Sequence, residues 1–204
     1  MSKSREQLNS FLKAVNIEGM TVLDVGVQDK KANRLTIGEP AVYHTLDIDP
    51  QWEPDITGDL NEPLSTWVLN IKGFNSLMVH TGLLQYDCVF CIETLEHCWN
   101  PFYALANLKD LLEPGGLLYI STPFINPHHD YVDYLRYTHE WYEKVLPMYE
   151  LEILELRERV ATVGREHLEA FFKTEGMRVS KVRPEYGRYT YPIGYYVVAR
   201  KIKS

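Results

Sequence analysis

Several apolar runs in this chain end on an acidic residue or a glycine. Asp24 and Gly26 close MTVLDVG, Asp47 closes AVYHTLD, Asp59 follows DITG, and Glu93 closes DCVFCIE. Each run reads as a buried strand. In open α/β sheets ligands bind beyond the carboxyl ends of the strands, so these residues are expected to share one site. Asp47 follows Asp24 by roughly the twenty-odd residues typical of a carboxylate that grips a ribose diol. An ionised carboxylate is an acceptor-only partner for both hydroxyls. The competing reading makes Asp47 and Asp49 turn residues before Pro50.

Two further groups carry chemistry. If a helix starts near Glu93, then Glu93, Glu96 and His97 fall at i, i+3 and i+4 and face the same way. Two carboxylates and an imidazole could then hold Mg²⁺ or Mn²⁺. Alternatively, Glu96 and His97 only cap and pack the start of that helix. His128 and His129 follow Pro127 at the expected lip of the site. An imidazole titrating near neutrality could act there as general base toward an alcohol or amine, or the two could be plain loop histidines. Arg136 is either a clamp for a substrate anion or a partner of a nearby carboxylate.

The elements that must position these residues alternate. Residues 4–15 carry Leu8, Phe11, Leu12 and Val15 at helical spacing. Strands are expected at Met20–Val25, Ala41–Leu46, Asp55–Thr57, Asp87–Ile92 and Leu117–Ser121. Helices are expected within 64–84, at Pro101–Leu112 and at Glu166–Glu175. Glu113-Pro114-Gly115-Gly116 is expected to stop the second of these. Thr138 is an N-cap for HEWYEKVL. Residues 148–160 fit strand or helix, and Met177–Val182 and Tyr195–Ala199 read as strands closing the sheet. The pattern predicts an α/β, Rossmann-like, doubly wound and mostly parallel seven-stranded sheet with helices on both faces.

Composition narrows the function. At 204 residues the chain is expected to be one domain, 1–204. Its net charge of −7 argues against holding nucleic acid by phosphate neutralisation. Cys88 and Cys91 sit in an apolar run where a free cysteine behaves as a small hydrophobe. With Cys98 they suggest a reducing compartment, and a cytoplasmic location is expected. No apolar run is long enough to cross a membrane.

The motifs taken together resemble those of class I S-adenosylmethionine (SAM)-dependent methyltransferases. Asp24-Val25-Gly26 is similar to the start of that family's D/E-x-G-x-G-x-G loop, although Gln28 and Asp29 stand where later glycines would be. Read as a dinucleotide fingerprint, Gly26-x-Gln28-x-x-Lys31 lacks the second and third glycines of G-x-G-x-x-G. YDCVFCIETLEH resembles the fourth-strand motif FDxVxxxxxLEH, LLEPGGLLYISTP resembles LKPGGxLxxSTP, and DYLRYT resembles a DYWRYT segment. The resemblance covers about residues 20–145. It implies SAM as cofactor, held by Asp24, Gly26, Asp47, Ile48, Asp59 and Leu60, with Cys91 and Glu93 beside the transferred methyl. It also implies a small-molecule or saccharide acceptor, and residues 146–165 are expected to form a substrate-side insertion. E-x-x-E-H further resembles the metal site of some O-methyltransferases. A second function class, a non-catalytic binding or scaffold protein with a degenerate glycine loop, is kept open by Gln28 and Asp29.

Overall fold

The computed structural model describes residues 3–27, 36–71, 84–125, 132–163 and 189–203. One sheet organises them. Its strands are β1 (Thr21–Val25), β2 (Val42–Asp47), β3 (Ile56–Thr57), β4 (Val68–Leu69), β5 (Tyr86–Ile92), β6 (Leu112–Pro123), β7 (Leu151–Val163) and β8 (Tyr189–Lys201). Their order is β4-β3-β2-β1-β5-β6-β8-β7. The pairs β1–β2, β1–β5, β2–β3 and β5–β6 are parallel, and both edges are antiparallel. The expected Rossmann-like class is therefore observed. Among the described residues the sheet has eight strands: six of the seven expected, with β4 added at the β3 edge and β7 beyond β8.

Strand periodicity divides the core in two. Leu23, Val25, Val89, Cys91, Leu118 and Ile120 point to one face. There they meet α2 (Pro101–Asp110) through Ala104, Leu105 and Leu108, and α3 (His139–Val145) through Tyr142 and Val145. Val22, Cys88, Phe90 and Tyr119 point to the other face and meet α1 (Lys3–Leu12) through Leu8, Phe11 and Leu12. Phe11 stacks on Tyr196 with ring centroids 4.7 Å apart. Burial of each such leucine or phenylalanine stabilises the fold by about 1.5–3 kcal/mol. Cys88 and Cys91 have C-x-x-C spacing, yet three residues apart on a strand they face opposite sides of the sheet, and neither they nor buried Cys98 form a disulfide.

Local signals explain most boundaries. Asn100 caps α2 by accepting from the Tyr103 amide at 3.2 Å, with Pro101 in the first turn. Thr138 caps α3 by accepting from the Trp141 amide at 3.3 Å. Three segments refine the expected pattern. In the 64–84 stretch expected to hold helix, the described part forms a short 3-10 turn, Leu64–Thr66, followed by β4, and residues 72–83 lie outside the described residues. Burial of Trp67, whose indole N–H donates to the Asp59 carbonyl at 3.1 Å, overrides helix propensity there. The Pro-Gly-Gly segment lies within β6, in an irregular stretch where the register slips between Tyr86 and Cys88. Residues 151–163, ambiguous in sequence, form the long edge strand β7. The expected helix at Glu166–Glu175 and strand at Met177–Val182 lie outside the described residues.

Candidate active site

The carboxyl ends of β1, β2, β3 and β5 bring the expected residues to one edge of the sheet. Gly26 leaves β1 with φ +76°, a left-handed conformation that favours glycine. Its amide donates to the Leu46 carbonyl at 2.8 Å, tying the turn to the end of β2. Thr94, just after β5, closes against it, and its hydroxyl lies 3.2 Å from the Val25 carbonyl and 3.0 Å from that of Ile92. A Cβ on Gly26 would fall 2.2 Å from Thr94 Oγ1. The Thr94 side chain therefore occupies the space that a side chain at Gly26 would need, and the two strand ends are in direct contact.

Asp24 points into the sheet and is fully buried; Tyr43 donates to its Oδ2 at 2.6 Å. Asp47 ends β2 at 7% exposure, and its Oδ1 accepts the Asp49 amide at 2.9 Å. Burial is the main cause that raises the Asp47 pKa above the ordinary carboxylate value, opposed by the Asp49 amide. The neighbouring Ile48 side chain is exposed. Asp59 Oδ1 accepts from both the backbone and side-chain nitrogens of Asn61, at 2.8 and 2.7 Å. Asn61 Oδ1 in turn accepts the Asn100 amide at 2.9 Å. The Leu60 side chain is buried in the core, and Asn107 of α2 donates to the carbonyls of Leu60 and Glu62, both at 2.9 Å. These bonds fix the loop after β3 on α2. Cys91 is a core residue of β5.

The metal expectation is corrected. No helix begins at Glu93. That residue has φ +50°, and Leu95–His97 is a single 3-10 turn, so the i, i+3, i+4 geometry never forms. The Glu93 carboxylate is engaged by the Ser121 hydroxyl at Oε1 and by Arg159 Nη2 at Oε2, the latter at 3.2 Å. Glu96 is fully buried, and its pKa is pushed up to about 8, first by burial and then by repulsion from Glu93. His97 Nδ1 contacts the Val132 carbonyl. Among the described residues no three His, Cys, Asp or Glu side chains cluster to hold an ion.

The LEH turn instead anchors the DYLRYT segment. The Glu96 carbonyl accepts the amides of Tyr134 and Leu135 at 2.9 and 3.3 Å, and Tyr137 donates to the Leu95 carbonyl at 2.7 Å. Arg136 lies against Asp133, with Nη2 donating to Oδ2 at 2.6 Å. The two motifs are therefore complementary parts of one wall. His128 and His129 lie outside the described residues. Sequence reading missed Arg159, because the pairing of an arginine on a remote edge strand with Glu93 has no local signature.

Residues 3–177 match the family model described as a methyltransferase domain. Over 78 residues the chain is 36% identical to a ubiquinone biosynthesis O-methyltransferase of Marinobacter nauticus, a match covering 33% of this chain and 32% of the relative. The aligned segment thus spans about a third of that curated relative. A crystal structure of an S-adenosylmethionine-dependent methyltransferase from Mesorhizobium loti superposes with a TM-score of 0.58 at 13% identity, covering 98% of each chain. Another is the 1,6-didemethyltoxoflavin-N1-methyltransferase of Burkholderia thailandensis with S-adenosylhomocysteine bound. It superposes with a TM-score of 0.53 at 15% identity, over 98% of this chain and 79% of that one. The chain belongs to the methyltransferase-domain family, within the class I SAM-dependent methyltransferases.

Proposed function

We propose that this chain transfers the methyl group of SAM to an oxygen or nitrogen atom of a small-molecule or saccharide-type acceptor. The observation that carries the reading is the convergence of Gly26, Asp47, Asp59 and Glu93 at the carboxyl edge of one sheet. The donor set suits the cofactor. Asp47 offers acceptor oxygens for a ribose diol, and the exposed Ile48 beside it offers apolar surface to a purine. The left-handed turn at Gly26, packed against Thr94, ends β1 beside the end of β2 that carries Asp47.

When bound, SAM supplies an activated electrophilic methyl group. The work left to the chain is alignment of the nucleophile and exclusion of water. Asp24 and Gly26 shape the turn after β1, Asp59 and Leu60 the loop after β3, and Cys91 and Glu93 the wall toward the methyl group. His128 and His129, which follow β6 in sequence, take the acceptor's proton. The segment 146–165 serves the acceptor side through β7, which carries Arg159 to Glu93.

The partial identity to ubiquinone biosynthesis O-methyltransferases favours an oxygen acceptor. Net charge −7 favours an acceptor other than nucleic acid. Three buried cysteines outside any disulfide favour the cytoplasm. Among the described residues no helix is long and apolar enough to cross a membrane.

Calorimetric titration of the full chain with SAM and S-adenosylhomocysteine tests the reading. Micromolar binding of both is expected and would open an acceptor screen. Absence of binding to either would overturn the proposal.

A further inference from the structure

Arg159 brings a charge from the rim of the sheet to its centre. It lies on β7, the outermost strand, opposite Gly194 of β8, which in turn pairs with Pro123 of β6. Its side chain crosses β8 at the residue that has no side chain. A Cβ on Gly194 would lie 2.6 Å from both Nε and Nη2 of Arg159 and 2.5 Å from the Thr122 carbonyl oxygen. Beyond Gly194, Nη2 reaches Glu93 Oε2 at 3.2 Å, and the guanidinium carbon lies 5.7 Å from the centre of the Tyr196 ring.

Arg159 is 4% exposed, and a buried guanidinium is strongly unfavourable without an anion beside it. Glu93 is that anion. Glu93 also holds a left-handed backbone conformation that a non-glycine residue adopts only when its surroundings enforce it. Its amide donates to the Ser121 carbonyl at 2.8 Å, and its carboxylate is gripped from both sides. Glu96, pushed up to about 8, is largely protonated at neutral pH. The ion pair at this end of β5 joins Glu93 to Arg159.

SAM and S-adenosylhomocysteine differ by one methyl group and one positive charge on sulfur. A carboxylate at the cofactor wall favours the charged form, and a cation paired with that carboxylate weakens the preference. We propose that Arg159 is a positioning residue that fixes Glu93 and offsets its charge, so that methyl donor and spent product are held with comparable strength and the product can leave. This rests on the SAM site proposed above.

The test is the ratio of the dissociation constant for S-adenosylhomocysteine to that for SAM, measured by calorimetry on the full chain. In Arg159→Gln the ratio should rise by at least about threefold, because Glu93 is left uncompensated. In Glu93→Gln it should fall by at least about threefold, because the guanidinium remains without its anion. Arg159→Lys, which keeps the charge, should stay within about twofold of the wild type. A purely structural role would weaken both ligands alike and leave the ratio unmoved. An unchanged ratio in Arg159→Gln, or in Glu93→Gln should the former not fold, overturns the inference while wild-type binding upholds the SAM site. A wild-type chain that binds neither ligand overturns both.

Discussion

Gly26 and Thr94 meet so closely that the end of β1 and the end of β5 behave as one surface. A Cβ on Gly26 would sit 2.2 Å from Thr94 Oγ1 and 2.9 Å from its Cγ2, at a backbone φ of +76°. Gly26→Ala therefore meets two penalties. The left-handed conformation alone costs about 1–2 kcal/mol for a non-glycine residue. Thr94 must also turn away, which gives up its approaches to the Val25 and Ile92 carbonyls. The expected result is a loss of about 2–4 kcal/mol in denaturant unfolding, with SAM binding weakened by at least about tenfold. Wild-type affinity in this variant would mean that the turn after β1 does not contact the cofactor.

Asp47 makes a separate prediction, because its role depends on charge. Replacing it with alanine removes the acceptor for the ribose hydroxyls, and SAM binding is expected to weaken by at least about tenfold. Burial raises the pKa of this carboxyl. As pH falls, Asp47 is therefore protonated earlier than an ordinary aspartate, and wild-type affinity for SAM should begin to decline above the usual carboxylate range. The Asp47→Ala variant should lack that part of the pH profile. Calorimetry across the acid range checks both statements; equal affinity in the two proteins would remove Asp47 from the site.

How much of this was legible beforehand depended on the range of the interaction. Strands such as Tyr86–Ile92 carry a continuous apolar run, here Cys88–Ile92, and caps such as Asn100 and Thr138 act within three residues, so sequence reports them well. The acidic strand ends were legible because a parallel sheet sends every carboxyl end to one edge. Residues 64–69 form a 3-10 turn and β4 because burial of Trp67 is a tertiary term that no local pattern encodes. The metal trio was misread because a helical spacing was assumed where Glu93 turns left-handed. Arg159 was invisible for the same reason as Trp67: its partner lies 66 positions away.

Asn107 tests whether α2 helps to shape the site from behind. It is buried, and its side-chain nitrogen donates to the carbonyls of Leu60 and Glu62 in the loop that carries Asp59. Asn107→Ala leaves two carbonyls without that donor, at about 1–3 kcal/mol in unfolding free energy. The loop should loosen as well, so SAM binding should weaken while the fold persists by circular dichroism. Stability lost without any change in affinity would show that the loop after β3 plays no part in cofactor binding.

Glu96 gives the clearest pH signature of stability. Its carboxyl is buried beside Glu93 and titrates at about 8 in the folded chain, against a reference value of 4.5. Below pH 4.5 both states hold the proton, and the group adds no pH dependence. Between 4.5 and about 8 the unfolded chain releases the proton while the folded chain retains it, so unfolding becomes progressively easier as pH rises. The full effect is on the order of a few kcal/mol, and above the folded pKa it becomes constant. Glu96→Gln keeps the shape and removes the titration. Urea unfolding at about pH 5.5 and pH 8.5 should show wild-type stability falling more steeply than that of the variant. The variant should be the more stable of the two at the higher pH. Parallel pH profiles for the two proteins would mean that Glu96 is already ionised in the fold, with its charge neutralised within the LEH turn.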